Sequence, residues 1–191
     1  MLNRLRLLLQ LGHGYKIARR YFVTNGFDGA LTMLGLAMGF YGSGDVAIPV
    51  MISVCMGAAI ALTVSGLSSA YVSETAERQK ELKDLEQALI HDLGDSAHGD
   101  AARYSPWLIA AVNGLSPLLI ALFIISPLWL AQVGIALPLG PLESCIGLAF
   151  FSLFLLGVFS GRISGQFWLW AGVRTLIIAV LTAAIIYWVS A

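Results

Sequence analysis

Residues 47–71 read AIPVMISVCMGAAIALTVSGLSSAY, and residues 72–93 continue as VSETAERQKELKDLEQALIHDL. The first stretch carries no charged residue and exceeds the roughly 20 helical residues that cross a hydrocarbon core of about 30 Å. It shows no period-2 alternation, which argues against a membrane barrel strand. Backbone groups in lipid must be paired within the segment, so the stretch reads as a helix. The second stretch has no Gly or Pro before Gly94. It therefore reads as the same helix leaving the bilayer and continuing in water to about Leu93. One segment sets the class: an all-α integral membrane bundle with an acidic helix extending from its second span.

The rest of the chain agrees. Its 191 residues are 58% hydrophobic and only 12% charged, with a mean hydropathy of +0.82. A water-soluble domain of this length cannot hide so much apolar surface. Four further apolar stretches, Val23–Tyr41, Pro106–Leu130, Leu142–Ser160 and Phe167–Val189, bring the expected spans to five. The chain divides into a basic interfacial segment over 1–22, spans one and two over 23–71, an acidic helix and linker over 72–104, and spans three to five over 105–191.

Every Lys and Arg then falls on one side. Arg4, Arg6, Lys16, Arg19 and Arg20 precede the first span. Arg78, Lys80, Lys83 and Arg103 lie between the second and third. Arg162 lies between the fourth and fifth, and Arg174 lies two turns into the fifth. The connections 42–46 and 131–141 hold none. The positive-inside rule places the N-terminus in the cytoplasm and the C-terminus outside. Trp107, Trp168 and Trp170 fall at inner ends and Trp129 and Trp188 at outer ends, as interfacial aromatics should. Met1–Arg20 has a short apolar core and no small-residue cleavage site, so it reads as an interfacial basic helix and not as a signal peptide. A net charge of zero carries no nucleic-acid signature. Cys55 and Cys145 both fall in spans, so no disulfide framework is expected.

Small residues permit close helix packing where lipid gives no hydrophobic drive. Gly35 with Gly39, Gly157 with Gly161 and Gly165, and Gly57 with Ala61, Ser65 and Ser69 form such faces. Each serves packing within the chain or a homodimer seam. Pro106, Pro117 and Pro127 interrupt the third span.

Two sets of charges need an explanation. Asp28 lies eight residues past Arg20, about 12 Å along a helix axis. A carboxylate at that depth costs at least about 2.5 kcal/mol, so it should be paired or functional. One reading pairs it with Arg174 or with Ser and Asn side chains; the other makes it a cation or proton site. Asn25, Met33, Ser65 and Ser69 supply further polar or soft atoms for a transport path, a donor set suited to Fe²⁺ or Mn²⁺. Outside the bilayer, Glu74, Glu77, Glu81 and Asp84 fall within about 80° of helical arc, and His91 extends the stripe. That face is either a solvated amphipathic helix or a metal-collecting surface. Asp92, Asp95, His98 and Asp100 follow in a loose linker.

The first span, NGFDGALTMLGLAMG over 25–39, resembles the opening helix of the vacuolar iron transporter family, in its short prokaryotic branch. SAYVSETAER over 69–78 resembles that family's segment leading into its acidic helix. GRISG over 161–165, AGVRTL over 171–176 and AAIIY over 183–187 resemble its last hairpin. Ala70, Gly66 and Phe27 stand where the family usually carries Glu, Met and Asn. The resemblance implies a homodimer that exports Fe²⁺ or Mn²⁺ from the cytoplasm in exchange for protons, with no permanently bound cofactor. It carries Asp28 over as the pathway carboxylate, and Glu74, Glu77 and Glu81 as members of an acidic helix. The alternative is a non-transporting membrane scaffold or complex subunit. No HExxH, GxSxG or clustered His supports an enzyme.

Overall fold

A computed structural model describes residues 14–94 and 96–190. The part of the basic N-terminal segment before Gly14, and Asp95 in the linker, lie outside the described residues. The described residues form five helices: α1 (Gly14–Ser43), α2 (Ile48–Leu89), α3 (Ala97–Gln132), α4 (Pro141–Ser164) and α5 (Trp168–Ser190). No strand occurs among the described residues. Four helices, α2 to α5, are long and apolar enough to cross a membrane. With α1 they make the expected all-helical membrane bundle. At 30 residues α1 is long enough as well. Thr24, Asn25, Asp28 and its glycines leave its apolar stretch less apolar than those of the other four.

The helices differ from expectation at one connection. α2 does run on from its apolar half into the acidic tail, 42 residues or about 63 Å in all. It stops at Leu89, not Leu93. Ile90 adopts φ 51, and the amide of His91 donates to the Glu86 carbonyl. That 6→1 bond around a left-handed residue is the Schellman stop, here without the usual glycine. α3 begins nine residues earlier than the apolar pattern suggested. Ser96 is its cap: the hydroxyl accepts from the amides of His98 (3.2 Å) and Gly99 (3.4 Å). Most of the expected linker is therefore the first turns of α3, which runs helical through Pro106, Pro117 and Pro127.

The chain forms two compact units. The first comprises residues up to Asn25 with Thr63–Ser116; the second comprises Gly26–Leu62 with Pro117 onward.

In the first unit, the lower part of α2 and the upper part of α3 pack as an antiparallel hairpin. A Cβ on Gly66 would lie 3.2 Å from the Asn113 carbonyl and from Gly114 Cα. The Tyr71 and Trp107 rings sit 4.4 Å apart. Arg78, Glu81, Leu82 and Leu85 line one cavity with His98, Ala101 and Ala102. These three levels fix the register. Buried residues recur every four positions on both helices: Gly66, Ala70, Glu74 and Arg78 on α2, and Ala101, Ser105, Ile109 and Asn113 on α3. That spacing makes one continuous seam.

In the second unit, Met33 and Leu34 of α1, Cys55 and Ala59 of α2, Ile124, Ile125 and Leu128 of α3 and Leu153 of α4 form an apolar core. α1 approaches α3 so closely that a Cβ on Gly29 would lie 2.8 Å from Pro117 Cα. α4 and α5 close on each other through glycine. A Cβ on Gly157 would come within 2.9 Å of the Ala171 carbonyl, and Ala171 also blocks Gly161. Thr175 donates its hydroxyl across to the Leu153 carbonyl at 3.0 Å. The Gly157–Gly161 face thus serves intrachain packing. Gly39 and Gly57 meet nothing within 4 Å.

Candidate functional site

Asp28 is exposed on α1. The neighbouring Gly29 is pressed against the α3 backbone, which turns the Asp28 side chain away from that contact. Arg174 is also exposed. No ion pair joins the two, and no hydrogen bond holds the Asp28 carboxylate among the described residues. The paired reading of Asp28 therefore does not describe this fold. Met33, in the same unit, is buried in the apolar core. Asn25, Ser65 and Ser69 belong to the first unit, where Ser65 and Ser69 are exposed and Asn25 is half-buried.

Asn25 is committed to packing. Its amide donates to the Asn113 side-chain oxygen and to the Tyr21 carbonyl at 3.3 Å. Asn113 in turn donates to the Gly66 carbonyl at 2.7 Å. One buried asparagine thus ties α1, α2 and α3 together in the first unit. Ser116 adds a second α3-to-α1 bond, donating to the Phe22 carbonyl at 2.6 Å. Such bonds are favoured where water cannot compete for the same groups.

The acidic stripe splits. Glu77, Glu81 and Asp84 are exposed, and His91 lies beyond the end of α2, off the helical face it was expected to extend. Among the described residues no group of three or more His, Cys, Asp and Glu side chains is placed to hold a metal ion. Glu74 is the exception to the solvated face. It is 6% exposed, and so is Arg78 one turn on. Arg78 donates to Glu81 at 2.6 Å and lies 3.8 Å from Glu74. Tyr21 of α1 lies near Glu74; burial first, and the Glu74 charge second, raise the phenol above its ordinary value. The Arg20 guanidinium, over the Tyr21 ring at 5.7 Å, opposes that shift.

Sequence reasoning therefore missed the best-defined polar centre of the chain, Tyr21–Glu74–Arg78–Ser105 with Asn113 farther along the seam. The signal was present. Glu74 and Arg78 continue the four-residue spacing of the small residues Gly66 and Ala70, so they lie on the packed face.

No protein-family model matches the chain, and no solved structure matches it. An uncharacterized protein of Methanocaldococcus jannaschii is 27% identical over 174 residues, covering 90% of this chain and 87% of its own length. The similarity runs along nearly the whole of both chains and is not confined to one segment.

Proposed function

We propose that the protein is a divalent metal ion transporter that exports Fe²⁺ or Mn²⁺ from the cytoplasm in exchange for protons, acting as a homodimer in a prokaryotic plasma membrane. The observation that carries this reading is the free Asp28 carboxylate. An exposed anion on a helix of this bundle is expensive against lipid. A second copy covering that face, with an aqueous path between, removes the cost and puts an unclaimed anion where a cation would pass. The orientation rests on the cation distribution, with the N-terminus inside, α1 as the fifth span and the C-terminus outside. Gly66 and Ala70, which stand at the family's Met and Glu positions, are filled by the Asn113 contact and by seam packing. The selectivity of this chain must then come from groups other than those two.

The test is metal entry into liposomes carrying the protein and a metal-sensitive dye, with a pH dye for the counter-flow. Wild type should move Mn²⁺ or Fe²⁺, and Asp28→Asn should abolish the flux while leaving the fold intact. Full flux in Asp28→Asn excludes this pathway. A second reading, a scaffold or complex subunit, is favoured by one observation: the acidic helix gathers no metal-binding cluster among the described residues. It predicts no flux in wild type.

A further inference from the structure

Four buried side-chain atoms in the first unit have no hydrogen-bond partner among the described residues: Glu74 Oε2, Thr75 Oγ1, Arg78 Nε and Ser105 Oγ. Buried polar atoms are nearly always satisfied, so orphans gathered at one place indicate a missing partner. These four share a place. The hairpin register that sets Tyr71 beside Trp107, and Arg78 beside Ala101 and Ala102, puts Glu74 and Thr75 at the level of Ser105. Glu74 and Ser105 both belong to the buried seam, with Ser105 fully inaccessible.

We propose that this level of the hairpin binds a monovalent alkali cation, held by Glu74 Oε2 and the hydroxyls of Ser105 and Thr75. Three arguments select that occupant. The three acceptors are all hard oxygens, with no sulfur or imidazole to favour a transition metal. The local charge is unbalanced, since Glu74 and Glu81 share one guanidinium and Arg78 bonds Glu81 at 2.6 Å while standing 3.8 Å from Glu74. Glu74 is left the less compensated of the two. The same guanidinium opposes a second positive charge at such short range, which disfavours a divalent ion. A single charge restores balance, and water on the cation would accept from Arg78 Nε, the one orphan that is a donor. The site lies wholly within the first unit and does not depend on the transport reading.

The full-length protein in detergent micelles is titrated with sodium chloride against choline chloride at constant ionic strength, and its melting temperature followed. Sodium should raise Tm in a saturable manner, by roughly 5–10 °C at about a hundred times the dissociation constant. Ser105→Ala should remove the sodium dependence, whereas Ser53→Ala, whose hydroxyl bonds the Pro49 carbonyl, should keep it. Line broadening of ²³Na in wild type, lost in Ser105→Ala, gives a readout independent of unfolding. Equal melting in sodium and choline, or sodium dependence that survives Ser105→Ala, overturns the proposal. So does Mn²⁺ stabilising at lower concentration than sodium through the same serine.

Discussion

The α2–α3 hairpin of the first unit and the α4–α5 hairpin of the second solve the same problem in opposite ways. Both join antiparallel helices. The first places polar groups in its seam: Asn113 on the Gly66 carbonyl, Glu74 beside Arg78, and Ser105 buried on α3. The second places glycines in its seam, so that Gly157 and Gly161 of α4 accept the Ala171 and Thr175 side chains of α5. Only one cross-helix hydroxyl bond, Thr175 to Leu153, supplements that contact among the described residues of the α4–α5 pair. A polar seam is specific but depends on every member. A glycine seam depends on the absence of atoms.

The largest effect should come from the polar seam. Arg78→Met strands the buried Glu74 charge and should cost about 3–5 kcal/mol, read as a drop in unfolding free energy in mixed micelles. The double variant with Glu74→Gln should recover most of that loss. A single Arg78→Met variant as stable as wild type would mean that Glu74 reaches water and that the seam is not dry.

The glycine seam should break by addition. Gly157→Val puts atoms where Thr175 and the Ala171 carbonyl already stand, at a cost of about 3 kcal/mol. Gly57→Ala on α2, where nothing lies within 4 Å, should be neutral or stabilising by up to about 1 kcal/mol. Loss of stability in Gly57→Ala, together with loss of a dimer by light scattering, would reveal a seam between two copies along Gly57, Ala61, Ser65 and Ser69.

A smaller effect separates hydrogen bonding from charge in the first hairpin. Tyr21→Phe removes the hydroxyl that lies near Glu74 and should cost about 1 kcal/mol at neutral pH. The raised Tyr21 phenol favours the protonated form in the folded protein. Its contribution is complete below pH 10.0 and is lost as pH rises through the higher folded value. The gap between wild type and Tyr21→Phe should therefore close in alkali. A gap that stays constant above that pH would show that the two residues do not interact.

How far the sequence carried differs between the hairpins too. Helix class and order were legible because apolar length and the placement of Lys and Arg act over twenty residues at a time. The glycines at 157 and 161 were legible as a packing face, since only close approach explains them in a span. Asp28 was legible as an oddity, but its exposure is a tertiary fact. Whether Arg174 reaches it depends on where α5 sits, and no local pattern encodes that. The buried Glu74–Arg78 pair was concealed by its own chemistry. Charged residues on a helical tail are ordinarily solvated, and only the four-residue spacing from Gly66 identifies the packed face. The early start of α3 was signalled by Ser96, a strong cap, but Gly99 and the polar run around it read as loop.

The end of α2 offers the finest test of that lesson. Ile90 occupies the left-handed position of the Schellman stop with φ 51, which an L-residue with a branched Cβ adopts at a cost of roughly 1–2 kcal/mol. Its side chain is 93% exposed, so it gains nothing from packing in return. Ile90→Gly should then stabilise the protein by about 1 kcal/mol, part of the relief being offset by the greater freedom of glycine in the unfolded chain. Hydrogen exchange of the His91 amide, which donates to the Glu86 carbonyl, should slow in the same variant. If Ile90→Gly instead destabilises, α2 does not stop at Leu89 in the folded protein. It then continues toward Leu93 as the uninterrupted charge pattern suggests, and His91 returns to the acidic face.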